Sequence, residues 1–199
     1  MTFVLASASP RRREILSHIG LDFCVCVADV DESSDVTDGA SLVEQLSERK
    51  ARAVLQQLKE SGAWHKDTVI IAADTVVVDP VGRILGKPTD TQDAARMLHL
   101  LSDHTHRVIS GVTVMTDEKA AVAHEVTEVT FAHLDDATID RYIASGEPMD
   151  KAGAYGIQDT AALWISGICG DYFNVVGLPL HRLERLLNEN FGLSLWKSP

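Results

Sequence analysis

The stretch Thr68 to Val78, TVIIAADTVVV, is apolar almost without a break. Such a run fits a strand buried on both faces at the centre of a sheet, because a half-wet strand would alternate. One residue violates the pattern. Asp74 follows Val69-Ile70-Ile71-Ala72-Ala73 and precedes Thr75 and Val76-Val77-Val78. An uncompensated carboxylate there costs several kcal/mol, so it must be paired, metal-bound or placed at a strand end facing a cleft. The plainer alternative is an aspartate at an exposed edge or bulge. Thr75 points to the opposite face of a regular strand.

The stretch Phe3 to Leu16, FVLASASPRRREIL, carries a second anomaly. Phe3-Val4-Leu5-Ala6 reads as a buried strand, and Ile15, Leu16 and Ile19 recur at helical spacing after it. Ser9 suits an N-cap and Pro10 the first helical position. Arg11, Arg12 and Arg13 then fall in the first turn, where the helix dipole makes each exposed cation unfavourable by roughly 0.3–1 kcal/mol. Hydroxyls, arginines and a helix N-terminus after a strand make a cradle for phosphate, or else an ordinary solvated helix start.

The rest of the chain alternates strand and helix signals. Residues 22–30 read as a strand ending in the acidic loop Asp29 to Glu32, and Ser41 to Leu58 has helical periodicity with Lys50 at the border of its apolar stripe. Asp79-Pro80-Val81-Gly82 is a turn from which Arg83 to Pro88 returns. Asp90 or Thr91 caps a helix through Leu101. Strands near His106–Met115 and Ala121–Ala132 follow, then a helix capped by Asp135. Ser145 to Gln158 is too polar for core and too long for a plain turn, as functional loops often are. Leu163–Ile168 and Tyr172–Val176 read as a hairpin, with a last helix from Pro179. The expectation is one α/β domain over 1–199 with a mixed sheet, in two lobes around a cleft.

Charge and cysteines narrow the setting. A net charge of −11 argues against broad nucleic-acid binding but leaves room for an anionic small substrate if cations cluster locally. No run approaches the ~18 apolar residues of a membrane span, and the start of the chain does not read as a signal peptide. Cys24, Cys26 and Cys169 show no ligand spacing, so reduced thiols and a cytoplasmic setting are expected. Glu32, with Asp31, could join Asp74 as an oxygen-rich site for a hard cation such as magnesium. Lys50 and Lys87 are lone cations, the latter framed by Gly86 and Pro88. His104 and His106 are read as surface or sheet histidines. With no nucleophile elbow or Walker loop, attack by activated water fits better than covalent catalysis.

Laid end to end, these pieces resemble the Maf family of nucleoside triphosphate pyrophosphatases. The matching stretches are LASASPRR at 5–12, VDE at 30–32, Lys50-Ala51, AADT at 72–75 and LGKP at 85–88, followed by LSDHTHRVISGVTV at 101–114, SGEPMDKAGAYGIQ at 145–158 and GDYFNVVGLPL at 170–180. The resemblance implies hydrolysis of a nucleoside triphosphate between its α and β phosphates with a divalent cation, Mg2+ or Mn2+. It implies a twisted mixed sheet flanked by helices, similar to the inosine triphosphate pyrophosphatases, and hints at a homodimer. Asp74 would be the proton acceptor that readies water, or a metal ligand that does so indirectly, and Glu32 would help hold the metal. Ser7, Ser9, Arg11, Lys50 and Lys87 would hold the triphosphate. The EPMDKAGAYGIQ form resembles the branch acting on dTTP and UTP, with Arg11, Thr75 and Gln158 at the positions that separate it from the 7-methyl-GTP branch. Two residues depart from the family: Asp159, where glycine is usual, and Arg49, expected to matter only at the surface. A triphosphate-sensing regulator with little turnover is the rival reading from outside the enzymes.

Overall fold

A computed structural model describes residues 1–196. The elements run β1 (Thr2–Leu5), α1 (Pro10–His18), β2 (Phe23–Val25), α2 (Gly39–Glu60), β3 (Thr68–Val78), β4 (Ile84–Leu85), α3 (Thr91–Leu101), β5 (Thr105–Met115), β6 (Ala120–Phe131), α4 (Asp136–Ala144), β7 (Ile165–Cys169), α5 (Tyr172–Val176) and α6 (Leu180–Phe191). Three short 3-10 turns lie between α4 and β7. The strands form one mixed sheet in the order β2-β1-β3-β5-β6-β7, with β4 also on β3.

As the apolar run predicts, β3 is the spine, and every residue except Thr75 is buried. One of its edges is paired without interruption, Ile70 to Val78 running antiparallel to β5. Its other edge is shared. β1 runs parallel to it and stops at Leu5 opposite Ile71, while pairing with the antiparallel β4 starts only at Val77, opposite Leu85. Among the described residues, Ala72 to Val76 have no strand beside them on that edge.

Strand alternation sorts the core. Val4, Ile70, Ala72, Val76 and Val78 pack under α2 through Val43, Ala51 and Val54. On the opposite face Phe3, Leu5, Ile71 and Ala73 meet Ile15 and Leu16 of α1 and Leu183 and Leu187 of α6. Further along that face Val77, Val108 and Val129 meet Leu98 and Leu101 of α3 and Ile139 and Tyr142 of α4. A polar seam separates these two cores. The fully buried Asn174 side chain donates to Val108 O at 3.0 Å and Thr127 Oγ1 at 2.9 Å and accepts from Ser110 N at 3.0 Å.

Local chemistry sets the boundaries. Asp38, Asp90 and Asp135 cap α2, α3 and α4, each carboxylate accepting from the backbone N–H three residues on. Two expectations fail. The strand expected over 22–30 ends at Val25, because its one partner among the described residues, β1, ends at Leu5. The second arm of the expected hairpin is helix α5. Asp171 caps it, accepting from Phe173 N at 2.7 Å, and Asn174 is drawn into the seam. Among the described residues, no helix is long and apolar enough to cross a membrane.

Candidate active site

Where β3 lacks a neighbour, side chains from both of its faces open onto one cleft of about 1000 Å³. Asp74 reaches it from the α2 face. Its partner across the sheet is Gly111, where a Cβ would lie 2.4 Å from the carbonyl carbon of Val43. Only glycine lets the α2 backbone rest directly on the sheet there. Two turns further along α2, Lys50 Nζ lies 2.6 Å from Asp74 Oδ1 and 2.7 Å from Glu32 Oε1. One ammonium thus ties together strand, helix and the 26–38 loop. The other oxygen of Asp74 has no hydrogen-bond partner among the described residues.

The hydrogen bond from Lys50 holds the Glu32 carboxyl below its ordinary range; partial burial opposes this, and the charges of Lys50, Lys87 and Arg12 reinforce it. Arg49 is more than surface decoration. Its guanidinium donates to the carbonyls of Asp31 and, at 3.0 Å, Ser33, the residues on either side of Glu32.

Thr75 reaches the cleft from the opposite face, with Arg12. Arg12 Nε donates to Gly177 O at 2.8 Å, and its two terminal nitrogens donate to Ser7 Oγ and Thr75 Oγ1, both at 3.1 Å. Burial pushes the guanidinium below its ordinary value, and the charge of Asp74 counters that. Ser7 Oγ also accepts from Ser9 N at 3.2 Å, and Ser9 occupies the α1 N-cap without a side-chain cap bond.

Sequence reasoning singled out Arg11 and passed over Arg12. The signal was present. Arg12 stands three and four residues before Ile15 and Leu16, so it shares their inward face. Arg11, one step round the helix, lies 3.9 Å from Asp150 instead. Lys87 and Gln158 are exposed and line the cleft, so Ser7, Ser9, Arg11, Glu32, Lys50, Asp74, Thr75, Lys87 and Gln158 all face one space.

In a chain of net charge −11, the cations Arg11, Arg12, Lys50 and Lys87 line the same cleft as the carboxylates Asp29, Glu32, Asp74 and Asp150. Such a lining offers an anionic ligand its cations and a metal ion its carboxylates. His106 takes no part; it is buried in β5, its Nε2 2.7 Å from the Tyr155 hydroxyl. Among the described residues, no cluster of three or more His, Cys, Asp or Glu is placed to cage a metal.

A model of the Maf-like protein family matches residues 2–190. The chain belongs to that family. A dTTP/UTP pyrophosphatase of Symbiobacterium thermophilum is 48% identical over 194 residues, covering 97% of this chain and 95% of the relative. One of Moorella thermoacetica is 50% identical over 196 residues, covering 97% and 96%. One of Pelotomaculum thermopropionicum is 49% identical over 196 residues, covering 96% and 97%. Full-length similarity at this level places Asp74 and its cleft in a Maf fold.

Proposed function

We propose that this Maf-family chain is a pyrophosphatase that hydrolyses dTTP and UTP to the monophosphate and pyrophosphate. The observation that carries the reading is the gap along β3. It presents the Asp74 carboxylate, one oxygen held by Lys50 and the other without a partner among the described residues, to a cleft that Arg11, Arg12 and Lys87 also line. The names of the relatives supply the substrate class.

In this mechanism Arg11, Lys50, Lys87 and the Ser7–Ser9 turn at the start of α1 hold the triphosphate, and Arg12 braces that turn. Asp74 takes a proton from water as the water oxygen bonds to the α phosphorus. The bond from that phosphorus to the bridging oxygen breaks, and pyrophosphate leaves. Positioning and neutralisation of charge supply most of the acceleration, since little covalent chemistry falls to the protein. The amide of Gln158, at the rim, can donate to and accept from a pyrimidine edge.

A divalent cation, Mg2+ or Mn2+, fits the donor set. Glu32 and Asp74 are hard oxygen ligands within reach of one ammonium, and magnesium is commonly held by one or two carboxylates plus substrate phosphates. Those two residues would hold it, and it would neutralise charge on the phosphates. The proposal includes a cytoplasmic enzyme, a homodimeric assembly and no nucleic-acid partner, the last supported by the acidic net charge.

The test is pyrophosphate release from dTTP, UTP, dCTP, dATP, dGTP and 7-methyl-GTP with magnesium or manganese. The highest kcat/KM is expected for dTTP and UTP. Fastest release from 7-methyl-GTP would move the chain to the other branch, and no release from any would favour a sensor.

A further inference from the structure

Gln158 is exposed at the cleft rim, and among the described residues no hydrogen bond of its own fixes it. The point from which its amide reaches into the cleft is therefore set by the backbone on either side. The group that organises that backbone is Lys151, a cation buried to 8% exposure. Its Nζ donates to Glu147 O at 2.7 Å and Asp150 Oδ1 at 2.8 Å, and it lies 3.5 Å from Asp159 Oδ2. Two anchors precede the segment and one follows it, so a single ammonium closes residues 147–159 into a ring. Two of its three N–H donors are thus used within the segment, and the charge of Asp159 faces the ammonium from the other side.

The segment rides directly on this lysine. A Cβ at Gly156 would lie 2.7 Å from both Lys151 Cε and Asp159 Oδ2, so the backbone two residues before Gln158 touches the bracket itself. The inner turn is strained, with buried Ala154 at φ 62°. Such a conformation persists only where its surroundings over-determine it. Tyr155 supplies the opposing anchor through His106, stacked edge-on against Phe131. The bracket also reaches across the cleft, because Asp150 is the partner of Arg11.

We infer that Lys151, with Asp159 as its counter-charge, is the positioning residue that aims Gln158 and so sets the choice among nucleobases. The inference rests on the proposed nucleotide site. It also gives Asp159, a departure from the family pattern, a definite role.

The closure need not collapse when the ammonium is removed. Glu147 independently accepts from Thr160 N at 3.0 Å and Thr160 Oγ1 at 2.8 Å. The test compares Lys151→Met, Lys151→Arg and Asp159→Asn in the full chain, measuring kcat and KM separately for dTTP and dATP. Lys151→Met should lower the dTTP-to-dATP ratio of kcat/KM by about tenfold, mainly through a higher KM for dTTP, with most of kcat retained. Asp159→Asn should move the ratio the same way by less, and Lys151→Arg should restore part of it. An unchanged ratio in Lys151→Met and Asp159→Asn overturns the inference, as does an equal fall of kcat on both nucleotides. Should Lys151→Met not fold, Asp159→Asn decides alone. If the wild-type chain itself shows no preference for dTTP, the underlying function fails; if it does and the variants keep it, only the role of Lys151 fails.

Discussion

Asp74 and Asp79 are five residues apart, both almost inaccessible, and they are treated in opposite ways. Asp79, just past the end of β3, is closed by its own turn. Its Oδ1 accepts from Val81 N at 3.0 Å and Arg83 N at 2.8 Å, and its Oδ2 accepts from Arg83 Nε at 2.7 Å. Burial pushes its carboxyl up, but the N–H groups of Arg83 and Val81 and the guanidinium outweigh it and hold the group below its usual range. Asp74, in the gap between β1 and β4, is given one ammonium and an open face. A carboxylate that the chain has fully satisfied serves the fold. One left partly unsatisfied beside a cleft is available for chemistry.

Groups closed in by the chain should therefore report on stability, and groups left open on turnover. The largest separation is expected for Asp74→Asn, with kcat on dTTP down roughly 10²–10⁴-fold and an unfolding midpoint close to wild type. Near-normal turnover would erase the distinction. Asp79→Ala should do the reverse, costing about 1–3 kcal/mol in denaturant unfolding because it removes the acceptor of the Val81 and Arg83 N–H groups that closes the turn, while the exposed Arg83 guanidinium returns to water. Its kcat per folded molecule should stay near wild type.

His106, buried away from the cleft with Nε2 bonded to Tyr155 and Nδ1 without a partner among the described residues, adds a titration. Burial lowers its pKa from 6.5 to about 4, so the unfolded chain binds the proton more readily. The stability owed to the neutral ring is present above pH 6.5 and lost as pH falls toward 4, which amounts to about 2 kcal/mol between pH 7 and pH 5. Unfolding free energies at those pH values should show that drop, and His106→Phe should reduce it. The smallest effect belongs to the open class. Gln158→Ala should shift the dTTP-to-dATP ratio of kcat/KM by roughly tenfold and leave stability unmoved. An unchanged ratio would place base selection elsewhere.

The contrast also marks what the sequence could disclose. Asp74 was legible because one charged residue in an apolar run has few explanations, and the caps at Asp90 and Asp135 because capping is local chemistry. The gap was not. It depends on where β1 stops and pairing with β4 starts, and no periodicity within β3 records its neighbours' lengths. The same cause shortened β2, whose alternating residues outrun their partner. Tyr172–Val176 was misread because the hydrogen-bonding demand of a buried asparagine outranked the β preference of an apolar run. Arg12 could have been found from helix phase. Lys151 could not, since its partners at 147 and 159 meet only after the loop has closed.

The central claim is that the break in the edge of β3 is where the phosphate chain lies. A crystal structure with magnesium and a dTTP analogue carrying a nitrogen bridge between its α and β phosphates tests it directly. The account predicts the α phosphate in the gap beside Asp74, with the remaining phosphates toward Ser7, Ser9 and Lys87. A phosphate chain bound outside the gap, with Asp74 touching neither it nor its metal, would contradict it.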